Sequence, residues 1–292
     1  MFDPTRHTVF RVRDYDLSAT LNSGQAFRWQ FRDGLWEGVI RSRWVRLAAG
    51  DDSILAETCE PVESWSWLAN YLQTEIELSS IFESFPKDTP MQSAVAACHG
   101  LRLLRQDPWE CLASFILSST KQIVQIQQIV GLLCERFGQR VSVPQGHAPW
   151  HSFPGAEHLA ECSEAELRSC KMGFRAPYLK DTATRISRGD FDLAALSNVE
   201  VEQARERLVS LPGVGRKIAD CVLLFAYGFQ NAFPVDVWVM KALRQLYFPR
   251  RRHVPLRRLQ RFTETHFGPF AGYAQQYLFH YVRTKSFQSK AP

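Results

Sequence analysis

Leu211-Pro212-Gly213-Val214-Gly215-Arg216-Lys217-Ile218-Ala219-Asp220 is the stretch around which the chain is organised. A helix predicted over 201–210 runs into a turn with two glycines, and a second helix starts at once. Gly213 and Gly215 permit positive φ and leave backbone N–H groups uncovered. Those groups sit at a helix N-terminus, where the dipole favours anions. Such a turn grips a DNA phosphate without reading sequence. An ordinary αα-hairpin shares the outline, but the Arg216-Lys217 pair directly after it tips the reading toward phosphate binding.

Lys217 falls in the first turn of the second helix. Its neighbours Ile218, Ala219, Cys221 and Val222 are apolar and predict a buried helix. Apolar surroundings, a helix N-terminus and an adjacent arginine disfavour a charged amine and favour a nucleophilic one. The alternative is a solvated surface lysine. Phe233-Pro234-Val235-Asp236-Val237-Trp238 comes next. Asp236 precedes the periodic run Val237, Met240, Leu243 and Leu246, so it is a candidate N-cap. A second role is within reach. From Lys217 to Gly228 the helix advances about 17 Å at ~1.5 Å per residue. Residues 229–236 span up to ~26 Å when extended, enough to return to the lysine. A carboxylate there could stabilise positive charge on a sugar, or pass protons to and from the amine.

Working outward, the chain has 292 residues, 45% hydrophobic and 22% charged, which is ordinary globular composition with room for about two domains. No apolar run approaches the ~18 residues of a membrane span. The start, MFDPTRHTVFRVRDYD, has no apolar core of a secretory signal. A net charge of +5 permits an anionic partner. Seven widely spaced cysteines, with no CxxC and none after Cys221, argue against a disulfide framework, a zinc site and a C-terminal iron–sulfur cluster. No metal or cofactor is expected. The first ~60 residues read as strands: Phe27 to Phe31, a turn at Arg32-Asp33-Gly34, Leu35 to Ile40, Trp44 to Leu47 and Ile54 to Glu57. Helical spacing starts near Leu68. Helices follow from Pro108, over 123–137 to a stop at Gly138, and over 176–188, 201–210, 216–228, 237–247, 255–266 and 270–284. Ser163 and Glu166 form a capping box, and 141–156 reads as a loop. The fold class is α+β: an N-terminal antiparallel sheet domain over 1–90, then a mostly helical body over 91–292 containing the helix-hairpin-helix motif.

These residues carry a resemblance. The hairpin followed by Pro234-Val235-Asp236 resembles the helix-hairpin-helix DNA glycosylases, whose bifunctional members have lysine where Lys217 stands. Ser23-Gly24-Gln25-Ala26-Phe27-Arg28-Trp29, Leu103-Leu104-Arg105-Gln106-Asp107-Pro108, Gly173-Phe174-Arg175-Ala176-Pro177-Tyr178 and Gly272-Tyr273-Ala274-Gln275-Gln276-Tyr277-Leu278-Phe279 resemble the 8-oxoguanine branch. The resemblance implies a helical body in two subdomains with the active site between them, and the sheet domain as lesion-pocket wall. It implies a monomer acting on double-stranded DNA that contains oxidised guanine, without a membrane partner. The compartment would be the cytoplasm, at the nucleoid, in a bacterium, or the nucleus in a eukaryote. The damaged base flips out. By the same resemblance Lys217 would attack C1′ and displace it, a Schiff base would form and β-elimination would nick the strand, with Asp236 stabilising the sugar cation. The Gly24 carbonyl would accept from the N7 hydrogen that distinguishes 8-oxoguanine from guanine. Phe279 and Cys221 would sandwich the base and Gln275 would bond its Watson–Crick edge.

Departures from the family pattern fall on the DNA-reading residues. Ser118-Ser119 is followed by Thr120-Lys121-Gln122 rather than asparagines, so Thr120 stands where an asparagine fills the vacated space. Gln125 replaces an arginine that helps read the opposite cytosine, whereas Arg175, a second reader, is present. Phe174 replaces an intercalating tyrosine, and Trp238 stands where histidine is usual. Weaker preference for cytosine opposite the lesion is expected. Lys121 and Arg216 are phosphate candidates by position, and Arg250, Arg251, Arg252, Arg257, Arg258 and Arg261 form a basic stretch that is either a solvated face or a phosphate contact. Two other functions fit parts of this pattern: a monofunctional alkylated-base glycosylase using Asp236 and water, and a non-catalytic DNA-binding hairpin protein.

Overall fold

The computed structural model describes residues 3–119, 121–251 and 254–288. Five antiparallel strands, β1 (His7–Arg11), β2 (Gln30–Arg32), β3 (Leu35–Ile40), β4 (Arg43–Gly50) and β5 (Ser53–Thr58), form one sheet in the order β1-β5-β4-β3-β2. Asp33 and Gly34 both have positive φ in the β2–β3 turn, as a two-residue hairpin loop requires. Two short strands, β6 (Arg140–Val141) and β7 (Trp150–His151), pair inside the segment read as a loop.

The expected strand over Phe27–Phe31 is cut short. Phe27 turns into the helical core edge-on to Phe115, with ring centroids 5.6 Å apart. Trp29 donates from Nε1 to the Tyr71 hydroxyl at 3.0 Å, and its ring lies where a side chain on Gly38 would stand. Burying two aromatics on a segment this short outweighs ladder pairing, so only 30–32 remain paired.

The helices are α1 (Leu17–Asn22), α2 (Ser66–Leu72), α3 (Leu78–Glu83), α4 (Thr89–Ala97), α5 (Pro108–Ser118), α6 (Ile123–Phe137), α7 (Ala156–Glu161), α8 (Glu164–Leu167), α9 (Ala176–Ser187), α10 (Val201–Val209), α11 (Arg216–Val222), α12 (Val237–Tyr247), α13 (Leu256–His266) and α14 (Ala271–Gln288). Helix α1 lies inside the stretch read as strands. Asp16 caps it, accepting from Ala19 N, and Leu17 and Leu21 bury against the sheet. Asp107 accepts from the Trp109 and Glu110 amides, starting α5 with Pro108 in its first turn. Ser163 and Glu166 form both halves of the capping box on α8. The helix expected over 216–228 is α-helical only to Val222. It widens into a π-turn, Leu223–Tyr227, and ends at Gly228 with φ +76°. A side chain at 228 would collide with the Arg105 guanidinium, which occupies its place.

Two main cores result. Trp36, Val45, Leu47 and Ile54 of the sheet pack with Leu68 and Leu72 of α2. Leu112, Ile116, Leu133, Val222, Leu243 and Leu278 belong to the helical core, which also takes in Leu78 and Ile81 of α3. Between them runs a strut, residues 101–106, with no regular structure and few free backbone groups. Arg105 N donates to Tyr71 O and Gln106 N to Phe225 O. The wholly buried Gln25 side chain donates to Arg102 O at 2.8 Å and accepts from Leu104 N at 2.8 Å. Gln106 Nε2 returns a bond to Gln25 O at 2.6 Å.

Candidate active site

Gly213 has φ +74°, and a Cβ there would strike the Tyr178 ring. Gly215 differs from expectation. It is extended, at φ −92° and ψ 175°, and caps α11. Its lack of a side chain leaves open space beside the hairpin, and the first amides of α11 have no acceptor within the helix.

In the first turn of α11, Lys217 is half-buried and reaches back to α5. Its Nζ donates to Ser118 Oγ at 3.2 Å and lies 5.2 Å from the Phe115 ring centroid. The Ser118 hydroxyl proton is already committed to Phe115 O at 2.7 Å, so the serine can only accept from the amine. Ser118 and Phe115 therefore hold the lysine tip, a role that residue identity alone did not give. Asp236 caps α12, its carboxylate accepting from Val239 N at 2.7 Å. Burial raises its pKa above the ordinary 3.8, while the Val239 amide and the positive charge of Lys217 pull it back down. The carboxylate is thus both a cap and a partner of the lysine.

Both line a cavity of about 920 Å³, which is also lined by Gly24, Lys121, Cys221, Gln275 and Phe279. Gly24 has φ +80° and its backbone turn is held by Gln276, whose Nε2 donates to Ser23 O at 3.1 Å. Gln275 is only 4% exposed, and its Oε1 has no hydrogen-bond partner among the described residues. An unsatisfied buried amide is costly unless something else completes it. Burial pushes the Cys221 thiol up to about 12, so it meets the cavity as a neutral, polarisable group. His280 and Arg283, which sequence reading passed over, also line the cavity. Burial pulls His280 down to about 4, so it is uncharged at neutral pH. The signal for this wall was two amides and a histidine set in the otherwise apolar first turns of α14, Ala271 to Val282.

The other expected DNA contacts lie outside this cavity. Phe174 is 59% exposed, raised by Gly173 at φ +63°. Arg175 is 2% exposed. Its guanidinium is covered by the Phe174 ring, 4.2 Å away, and donates to Ser119 O, so it is held against the protein rather than free in solvent. Gln125 is exposed, and its Oε1 accepts from Gln122 N at 3.0 Å in the capping box that starts α6. Arg216 pairs with Glu264 at 3.1 Å and approaches Glu202 and Asp220 at 3.9 Å, so carboxylates hold it in this state. Thr120 lies outside the described residues, as does Arg252. No group of three or more His, Cys, Asp or Glu is arranged to hold a metal among the described residues, and none of their helices is long and apolar enough to cross a membrane.

Residues 8–112 match the family model of the 8-oxoguanine DNA glycosylase N-terminal domain, and residues 113–265 match that of the HhH-GPD superfamily base excision DNA repair proteins. The chain is 31% identical over 279 residues to an N-glycosylase/DNA lyase OGG1 of Arabidopsis thaliana, covering 90% of this chain and 76% of the relative. It is 30% identical to a probable N-glycosylase/DNA lyase of Methanothermobacter thermautotrophicus, covering 93% and 95%. A crystal structure of Clostridium acetobutylicum 8-oxoguanine glycosylase/lyase in complex with double-stranded DNA containing cytosine opposite 8-oxoguanine superimposes with a TM-score of 0.91 at 30% identity, covering 96% of each chain. The chain belongs to the 8-oxoguanine DNA glycosylase branch of the HhH-GPD superfamily of base excision DNA repair proteins.

Proposed function

We propose that this chain is a bifunctional DNA glycosylase and abasic-site lyase that removes 8-oxoguanine from duplex DNA, with Lys217 as nucleophile and Asp236 as its electrostatic partner. One observation carries the reading: the Lys217 amine, the Asp236 carboxylate and the orphaned Gln275 amide line a single cavity. The hairpin amides hold a backbone phosphate while the damaged base turns into the cavity. Cys221 and Phe279 take its two faces. Gln275 Oε1 gains from the base edge the donor it lacks in the free protein. The Gly24 carbonyl accepts from N7–H. Guanine presents a lone pair there, and the lost bond costs about 1–3 kcal/mol.

In the chemical step the Lys217 nitrogen bonds to C1′ as the C1′–N9 bond breaks, and the bond electrons leave with the base. The negative Asp236 stabilises the cationic sugar at that moment. The attached amine gives one proton to the departing base; the C1′–O4′ bond then breaks with the second proton passing to O4′, which opens the sugar ring and leaves a Schiff base. Loss of a C2′ proton then expels the 3′ phosphate and nicks the strand.

Borohydride trapping on a duplex with one 8-oxoguanine tests this. The expected result is a covalent protein–DNA adduct that Lys217→Gln abolishes, with excision lost and lesion binding kept. An enzyme that excises the base without trapping would be the monofunctional type. A Lys217→Gln protein that excises at the wild-type rate would end the proposal.

A further inference from the structure

Positive charge is gathered in one part of this chain. Residues 237–266 contain eight Lys and Arg and a single Glu, an excess of seven positive charges where the whole chain carries +5. The remainder is therefore net acidic. The segment comprises α12, α13 and their connection. Its inner side is aromatic: the Tyr247, Phe262 and His266 rings pack with one another and with the adjoining Phe267, mostly edge to face, with centroids 4.4–5.8 Å apart. His266 Nε2 lies 2.8 Å from Asp88 Oδ2, and Tyr247 donates to the same carboxylate. The helix pair is thus pinned from within.

Its outer side is a row of arginines. Arg250, Arg251, Arg257, Arg258 and Arg261 are all exposed, and no carboxylate pairs with them among the described residues. Leu259 and Thr263 mark the buried face of α13. Arg257, Arg261 and Glu264 fall at i, i+4 and i+7, one flank of the helix. Glu264 ends that flank against Arg216, 3.1 Å away on the hairpin helix. Two arginines one turn apart repel each other and weaken the helix unless an anion lies between them. The one acid of α13 is turned to the hairpin instead.

We propose that Arg257 and Arg261, with Arg250 and Arg251, form a phosphate-binding tract for duplex DNA that continues the hairpin surface along α13. Continuity and charge name the occupant. The row starts beside the hairpin helix, whose first turn is the proposed phosphate site, and runs about 10 Å from Glu264 to Arg257 at ~1.5 Å per residue. That is roughly three base-pair steps of duplex at ~3.4 Å each. The tract reads no sequence and serves binding to undamaged DNA during search. It rests on duplex DNA as the partner and on no role of Lys217.

The test is the salt dependence of binding to an undamaged duplex, so it stands even if Lys217 proves not to be the nucleophile. Each phosphate contact contributes about 0.9 to the slope of log affinity against log salt. Arg257→Gln/Arg261→Gln is expected to lower the slope by about 2, while Arg257→Lys/Arg261→Lys keeps it. Excision by saturating enzyme stays at the wild-type rate, which also shows that the variant is folded. Arg250→Gln/Arg251→Gln, outside any helix, lowers the slope without touching α13. Trimming the duplex on the tract's side brings the wild type down to the slope of the Gln variant. A Gln variant that binds with the wild-type slope overturns the proposal, as does a Lys variant that loses as much slope as the Gln variant.

Discussion

Substitution at Asp236 separates its two roles, because asparagine keeps the cap and loses the charge. Asn and Asp are equivalent N-caps, whereas alanine costs about 0.5–2 kcal/mol. Asp236→Asn also forfeits about 0.3–1 kcal/mol of attraction to the α12 N-terminus. Against that stands burial, which raises the carboxyl pKa above its ordinary 3.8. A carboxyl whose pKa is higher in the folded state stabilises the fold when protonated. That stability is fully present below the unfolded value and is lost as pH rises through the folded one. The native carboxylate is therefore a strain at neutral pH that asparagine removes. Asp236→Asn is expected to melt within about 3 °C of wild type, and Asp236→Ala lower by about 1–8 °C at 2–4 °C per kcal/mol. The Asn-minus-wild-type difference should move in favour of Asn as pH climbs from 4 to neutrality. Single-turnover excision should fall about 10²–10³-fold in both variants, the scale of one lost transition-state contact. In the wild type, the acid limb of the rate profile should fall off at higher pH than an ordinary aspartate gives. Calorimetry and a quench assay on the same preparations decide it. An asparagine variant that excises normally would make Asp236 a helix cap and nothing more.

Other substitutions probe the cavity walls. Gln275→Leu removes a buried acceptor without a partner, so the free protein should gain up to about 1–3 kcal/mol in urea unfolding while lesion affinity falls; a destabilised variant would mean that the amide is satisfied in the free state. Gly24→Ala forces a side chain to φ +80° and within 2.6 Å of Ile123 Cδ1, costing at least about 1–2 kcal/mol and lowering the ratio of 8-oxoguanine to guanine excision. Without an arginine at 125, and with the Gln125 carbonyl occupied by its cap, one bidentate base contact worth about 1–3 kcal/mol is missing. Rates with cytosine, adenine and guanine opposite the lesion should therefore lie close together, and a steep preference for cytosine would refute this.

The hairpin, Lys217 and Asp236 could be read from sequence because each is a local statement: a glycine turn, a helix start, a cap. Gly24 and Gln275 came only with the resemblance, since a turn glycine and a helix amide look alike in any context. What stayed hidden was set by contacts between distant segments. Ser118 lies 99 positions from the lysine that it holds. Arg216 looked free until Glu264 of α13 stood beside it. The π-turn after Val222 breaks a helix that periodicity runs straight through, and its end is shaped by Arg105, more than a hundred residues earlier. The segment at 27–31 alternates like a strand, yet two of its aromatics are taken by partners outside the sheet.

The strut at 101–106 works as a ruler. Gln25, neighbour of the glycine proposed to test N7, is bolted to it by three bonds of 2.6–2.8 Å, and Phe225, two turns beyond the lysine, is bolted to its other end. The width of the slot between the proposed discriminating carbonyl of Gly24 and the proposed nucleophile Lys217 is thereby set by a piece of chain assigned no contact with base or sugar. Shortening a single rung, as Gln106→Ala would, changes the gauge of the whole slot, and fidelity and turnover would drift together although no residue that meets DNA had been altered.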